Sequence, residues 1–147
     1  MASIPRVVLD TNVVVSAGIS TNGNPALILE MLIFEEIKNF TTSEITDEIK
    51  EVLQRPHLAK RMALAERELI LGIFEKFSQT LEPTVKFNDV HDDPDDNKFL
   101  DCAVCASANY IISGDDHLLG LKEFRGIKIV SPAEFIGIMK KLRVENI

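Results

Sequence analysis

Two aspartates stand directly after stretches that are typical of buried strands. Asp10 closes the apolar run RVVLD (6–10), and Asp115 follows YIISG (110–114). In an open parallel sheet, the binding crevice lies at the carboxyl ends of the strands. Either aspartate alone is explained equally well as a turn former or a helix cap. Together, at equivalent ends of two strands, they predict two carboxylates in one crevice.

Three further carboxylates lie on predicted helices. Glu48 borders the apolar stripe of the helix that begins at Ser43, so it is either a solvent-exposed flank residue or part of the crevice. Asp101 is the only charge in FLDCAVCASA (99–108), and a buried carboxylate is costly unless it meets a cation or takes a proton. We therefore expect Asp101 to face the crevice. Asp96 precedes this run, where it either caps the helix or leans into the same crevice.

Carboxylates that converge on one crevice repel one another, and a hard divalent cation with oxygen ligands resolves that conflict. Mg²⁺ typically binds through a few carboxylates and keeps several of its waters. Such a site can activate a bound water and stabilise charge on a phosphoryl group. The pattern therefore predicts metal-dependent hydrolysis, with a phosphodiester as the natural substrate.

The elements that must position these acids alternate between strands and helices. The predicted strands cover residues 6–10, 38–42, 84–87, 110–113 and 128–130. The predicted helices cover about 24–36, 43–55, 57–79 in two pieces, 96–109, 116–121 and 131–142. Strands that alternate with helices of about ten residues or more imply crossover connections and a mainly parallel sheet. The predicted fold class is α/β.

Length and composition fit one soluble domain. The chain has 147 residues, of which 46% are hydrophobic and 27% charged, which suits a packed core and excludes a disordered acidic segment. We expect a single domain over 1–147 with its core at about 4–142. Two cysteines cannot form a disulfide framework, and charged residues interrupt every apolar run short of a membrane span. A cytoplasmic protein without a membrane segment is therefore expected.

The charges are unevenly distributed along the chain. The net charge of −7 argues against generic nucleic-acid binding. Between residues 50 and 67, however, five basic residues stand against two acids. Four of them are candidates for contacts with an RNA backbone, with an ordinary solvated helix surface as the equal alternative. These four are Arg55, Lys60, Arg61 and Arg67.

Four segments, in this order and spacing, resemble the PIN-domain ribonucleases, and most closely the group of toxins from toxin–antitoxin pairs. They are LDTNV (9–13), SEITDEI (43–49), DPDDNKFLDCA (93–103) and ISGDDHLL (112–119). The resemblance spans about residues 4–140. It implies that the four family acids are Asp10, Glu48, Asp101 and Asp115, with Asp96 as an additional acid of the subgroup. All five are then candidate metal ligands.

The resemblance also implies supporting residues, a fold and partners. Ser113 matches the Ser/Thr that often precedes the last acid, and Asn12 matches the polar residue two positions after the first. The implied fold is a three-layer α/β/α sandwich. The implied cofactor is Mg²⁺ or Mn²⁺, and the implied partners are single-stranded RNA, a second copy of the chain in a homodimer or higher homo-oligomer, and a small antitoxin protein. The alternative function is a PIN-like scaffold that binds RNA or protein without cleaving.

Overall fold

The computed structural model of the chain describes residues 3–145 and contains one six-stranded sheet within them. The strands are β1 (Arg6–Leu9), β2 (Lys38–Thr41), β3 (Ser78–Thr80), β4 (Tyr110–Ile112), β5 (Glu123–Phe124) and β6 (Ile127–Val130). They lie in the order β3-β2-β1-β4-β6-β5, and every neighbouring pair is parallel except β5 with β6. This mainly parallel sheet confirms the predicted α/β class.

Helices cover the sheet in the α/β/α arrangement. They are α1 (Thr11–Ile19), α2 (Asn24–Ile33), α3 (Ser43–Leu53), α4 (Pro56–Ala59), α5 (Leu64–Phe77), α6 (Asn97–Ala106), α7 (Asp116–Leu119) and α8 (Pro132–Glu145). A single 3₁₀ turn, Pro94–Asp96, leads into α6. Helix α1 packs on α2, α3 and α5, α6 packs on β1 and β2, and α8 packs on α2. No helix between residues 3 and 145 has both the length and the apolar character to cross a membrane.

Strand β1 lies at the centre of the sheet, which explains its uninterrupted apolar run. Val7, Val8 and Leu9 are almost completely buried, as expected for a parallel strand covered on both faces. β1 pairs with β4 through Val7–Leu9 and Tyr110–Ile112. The two strands therefore end side by side, and the Asp10 N–H donates to the Ile112 carbonyl at 3.0 Å. The segment after β4 lies beside Asp10 for this reason.

One hydrophobic core runs through the described residues. The apolar stripe predicted for the helix at 43–55 is the buried face of α3, formed by Ile45, Ile49 and Leu53. The predicted domain of 1–147 extends at both ends beyond the described residues. Its predicted core of about 4–142 falls within them.

The predicted strand at 84–87 is not formed, and the short strands β3 and β5 and the helix α1 were not predicted. Residues 84–87 form no strand, and Val85 is half exposed, so the segment lacks the burial that its β-branched composition suggested. The edge strand is instead β3, a polar stretch without periodicity directly after α5. Helix α1 was not predicted, because its sequence TNVVVSAGI is rich in β-branched residues that favour strands.

Candidate metal and catalytic site

Asp10 lies at the carboxyl end of β1 and is 3% exposed. Its Oδ2 accepts a hydrogen bond from Ser113 Oγ at 2.6 Å, and the backbone N–H of Asn12 also bonds to the carboxylate. Burial raises the pKa of Asp10 to about 6; the Ser113 bond opposes this rise, and the charges of Asp115 and Glu48 add to it. Asn12 therefore contributes to the site through its backbone N–H, while its side chain is exposed.

Ser113 joins the two strand-end aspartates. Besides donating to Asp10, its Oγ accepts a hydrogen bond from the Asp115 N–H at 2.9 Å. Asp115 caps α7, because its Oδ1 accepts the His117 N–H at 2.7 Å. The capping interpretation and the crevice interpretation of Asp115 are thus compatible, since one carboxylate can cap the helix and still face Asp10.

Asp96 completes the cluster from the 3₁₀ turn before α6. It is 7% exposed, and its buried Oδ2 has no hydrogen-bond partner among the described residues. Burial raises the pKa of Asp96 to about 8, with further contributions from the charges of Asp115, Asp10 and Asp93. A buried carboxylate oxygen without a donor is costly in a folded protein, and a cation would relieve that cost.

Four side chains, including that of Asp96, hold donor atoms close enough together to bind one divalent cation. Single atoms of Asp93, Asp96, Asp115 and His117 all lie within 4.8 Å of one another. Three of the four donors are carboxylate oxygens, which Mg²⁺ and Mn²⁺ prefer, and the fourth is an imidazole nitrogen. Sequence analysis missed Asp93 and His117, although both lie within the DPDD and SGDDH segments. The residues present therefore fit the expected metal.

Glu48 lies near Asp10 but is bound by protein groups. Its Oε1 is 3.1 Å from Lys98 Nζ, and its Oε2 accepts a hydrogen bond from the Thr11 hydroxyl. Burial lowers the pKa of Lys98, but hydrogen bonds to Asp95 and Glu48 outweigh it, so the pKa is raised above its ordinary value. Sequence analysis missed both partners of Glu48. The available signals were that Thr11 directly follows Asp10 and that Lys98 is the one lysine among the aspartates of 89–101.

Asp101 does not lie in this crevice, which corrects the expectation from its sequence. Its Oδ1 accepts the Phe87 N–H at 2.7 Å, and it lines a cavity of about 160 Å³ whose wall also includes Leu81–Pro83, Lys86 and Lys98. The charges that act on Asp96 are those of Asp115, Asp10 and Asp93.

The basic candidates divide into two kinds. Arg55, Lys60 and Arg61 are exposed at the end of α3 and around α4. Arg67 instead donates to the carbonyl oxygens of Leu53 and Met62, at 3.1 and 3.2 Å, and so ties α5 to the end of α3. The first three are therefore accessible to a phosphate backbone, although Arg55 also forms an exposed ion pair with Glu51 at 3.5 Å.

Comparison with known proteins places the fold and the acids in a family. The PIN domain family model matches residues 6–117, a segment that contains all the crevice acids described above. An uncharacterized protein of Methanocaldococcus jannaschii is 37% identical over 145 residues, covering 92% of each chain. A chain in the crystal structure of VapBC2 from Rickettsia felis, bound to a DNA fragment from their promoter, shares the fold with a TM-score of 0.58 at 14% identity, over 86% of this chain and 98% of that one. This chain belongs to the PIN-domain family.

Proposed function

We propose that this protein is a divalent-metal-dependent endoribonuclease that hydrolyses phosphodiester bonds in single-stranded RNA. PIN-family membership supports the nuclease class. The observation that carries the proposal is the buried Asp96 Oδ2, which has no hydrogen-bond donor within residues 3–145 and lies among the charges of Asp10, Asp93 and Asp115. Three carboxylates do not gather around such an atom for structural stability, because their repulsion destabilises the metal-free fold.

Asp93, Asp96, Asp115 and His117 are the residues whose donor atoms would hold Mg²⁺ or Mn²⁺, and Asp10 beside them is proposed as a further ligand. When bound, the ion would stabilise negative charge on a phosphoryl oxygen and lower the pKa of a water molecule. Ser113 orients the Asp10 carboxylate through its Oγ and fixes the Asp115 backbone. Thr11 and Lys98 orient Glu48 beside Asp10.

We assign the nucleophile to water and the products to a 5′-phosphate and a 3′-hydroxyl. Water attacks the phosphorus in line with the leaving 3′-oxygen, so the bond between phosphorus and the 3′-oxygen breaks and these two ends result. Glu48, held on both oxygens, is placed to orient the attacking water near Asp10. The exposed Arg55, Lys60 and Arg61 are proposed to bind the RNA backbone beside the crevice.

The proposed biological role is that of the toxin in a toxin–antitoxin pair. The four segments described above resemble such toxins, and one solved structure with this fold is of VapBC2 on promoter DNA. We therefore propose a small antitoxin protein and a second copy of this chain as partners. The proposed location is the cytoplasm.

A cleavage assay on labelled single-stranded RNA tests this function. We expect cleavage with Mg²⁺ or Mn²⁺ and none with excess EDTA or in the Asp96→Asn variant. Asp101→Asn is the matched control, because it changes a carboxylate in the neighbouring helix that lies outside the crevice. Cleavage that survives excess EDTA would contradict the metal dependence. RNA binding without cleavage in the presence of either metal would instead support the non-catalytic scaffold.

A further inference from the structure

We propose that Lys98 is a positioning residue that holds Glu48 off the metal, so that the crevice binds one divalent ion and not two. This inference rests on the proposed metal site and concerns how many ions that site takes. It assigns Lys98 a role in the site, and it removes Glu48 from the direct ligands.

Lys98 is a fixed charge within the crevice wall. Its side chain is 4% exposed, and its Nζ has three oxygen partners: Glu48 Oε1 at 3.1 Å, Asp95 Oδ2 at 3.0 Å and the Asp95 carbonyl at 2.9 Å. An ammonium group has three N–H donors and no acceptor. All three donors are therefore engaged, and the group has no hydrogen bond left for a substrate phosphate.

Glu48 and Asp96 differ in whether their carboxylate oxygens already have protein partners, and this difference indicates which of the two is a metal ligand. Both oxygens of Glu48 have protein partners, Lys98 on one and Thr11 on the other. Asp96 has a buried oxygen with none among the described residues. A cation that bound Glu48 directly would have to displace the ammonium or lie beside it, and two cations in contact with one carboxylate repel each other.

Lys98 therefore supplies the positive charge next to Glu48. Sites with two metal ions need carboxylates that are free to ligate both, and here Glu48 is already paired with the ammonium group. Among the described residues, the donor atoms that lie within 4.8 Å of one another belong to Asp93, Asp96, Asp115 and His117, without Glu48. This cluster has room for one ion.

Counting bound Mn²⁺ by electron paramagnetic resonance, without RNA, tests the proposal. We expect one ion per chain in the wild type and in Lys98→Arg, which keeps the charge. Lys98→Met removes the charge, frees Glu48 and is expected to raise the count to two. The double variant Lys98→Met/Glu48→Gln should return to one, because the freed carboxylate is gone. A role of Lys98 in stability alone would lower the melting temperature of Lys98→Met without changing the count.

Two results would overturn the inference: two ions on the wild type, or one ion on a folded Lys98→Met. If Lys98→Met does not fold, the Glu48→Gln variant provides the test, because its amide oxygen can still accept a hydrogen bond from Lys98. It should still bind one ion, whereas Asp96→Asn should bind none over the same Mn²⁺ range. Loss of the ion in Glu48→Gln would make Glu48 a ligand and overturn the proposal. One bound ion on a chain that cleaves no RNA would leave this inference standing and would overturn the proposed function alone.

Discussion

Asp96 carries much of the electrostatic cost of the crevice, and that cost depends on pH. Its pKa of about 8 in the folded chain stands far above the ordinary value of 3.8. The folded, metal-free protein therefore binds a proton that the unfolded chain has already released. The resulting destabilisation is absent below a pH of about 4 and grows until the pH reaches about 8.

We expect Asp96→Asn to be more stable than the wild type at neutral pH when EDTA is present. The gain should be at least about 2–4 °C in Tm, which is what 1 kcal/mol gives in a chain of this size. It should shrink as the pH falls from 8 toward 4 and vanish below about 4, because the unfolded carboxyl then takes up a proton as the folded one has already done. Paired thermal melts across this pH range measure it. Addition of Mg²⁺ should stabilise the wild type and not the variant, and a less stable Asp96→Asn at neutral pH would contradict the account.

Asp101 provides the opposite case, a carboxylate that serves the fold. We expect Asp101→Ala to lower the free energy of unfolding by about 1 kcal/mol, because the Phe87 N–H loses its acceptor. Asp101→Asn keeps an acceptor oxygen and should cost less. Both variants should cleave RNA at the wild-type rate per folded molecule. Urea unfolding and the RNA assay check this, and an Asp101→Asn protein that folds but does not cleave would return Asp101 to the site.

The acids differ in how far their sequence predicts their position. Asp10 and Asp115 follow apolar strands, so the topology of a parallel sheet brings them together without further information. Asp101 has an equally conspicuous pattern, a lone charge in an apolar helix. Its partner is a backbone N–H from the loop at 84–87, and the course of a loop is not encoded in local periodicity. The sequence shows that Lys98 carries a charge, but not that it is buried. Its partner Glu48 lies on another helix, and contacts between helices cannot be read from local sequence.

At the scale of elements, the Asn97 side chain fastens the acidic loop before α6 at three points. Asn97 accepts from the Val90 N–H at 2.9 Å and donates to the carbonyls of Val90 and Pro94, at 3.1 and 2.9 Å. This loop carries Asp93 and Asp96. A buried amide with three partners therefore sets the path of two crevice acids.

We expect Asn97→Ala to weaken both the fold and the metal site. The unpaired backbone groups should cost about 1–3 kcal/mol of unfolding free energy. Mn²⁺ affinity should fall as well, because the loop no longer holds its acids in place. Thermal melts and Mn²⁺ titration measure the two effects. Asn88→Ala, at an exposed position of the same loop, is the matched control, and equal metal affinities for the two variants would contradict this role of Asn97.

The exposed basic residues around α4 have a prediction of their own. Removing one phosphate-binding side chain should reduce the slope of log affinity against log salt by about 0.7 for a single strand. A triple variant with Arg55, Lys60 and Arg61 changed to alanine should therefore reduce the slope by roughly 2. Arg67→Ala should instead lower stability and leave the slope unchanged, because its guanidinium binds backbone carbonyls. Binding measured over a salt series decides, and an unchanged slope in the triple variant would assign these residues to plain solvent exposure.

The elements were predictable where strong local signals agree with the tertiary environment. Helix α8 begins as its Ser-Pro start predicts: Ser131 Oγ accepts the Glu134 N–H, and Glu134 Oε1 accepts the Ser131 N–H, each at 3.1 Å. Helix α3 is capped one residue earlier than expected, by the Thr42 hydroxyl on the Ile45 N–H. Helix α1 and strand β3 were not predictable in this way. Their residues adopt these conformations because of the elements that pack around them.

At the scale of the whole molecule, the acids meet only because distant parts of the chain pair in the sheet. Strands β1 and β4 are neighbours, although Asp10 and Ser113 are 103 positions apart in sequence. Helix α6, which follows the Asp96 turn, packs against β1 and β2. Asp10, Asp96 and Asp115 thus belong to three different segments, and the site is a property of the complete sheet.

The hydrogen bond between Ser113 and Asp10 has a consequence for when the crevice can form during synthesis. Asp10 and Glu48 leave the ribosome early, but the other crevice acids lie beyond residue 90. A nascent or prematurely terminated chain that stops before β4 contains Asp96 as well but lacks Ser113 and Asp115. The crevice therefore cannot form until β4 and the segment after it have been synthesised. A cut in the largely exposed segment 84–89 would divide the acids between two fragments, and we expect the crevice to form again only when the fragments reassociate.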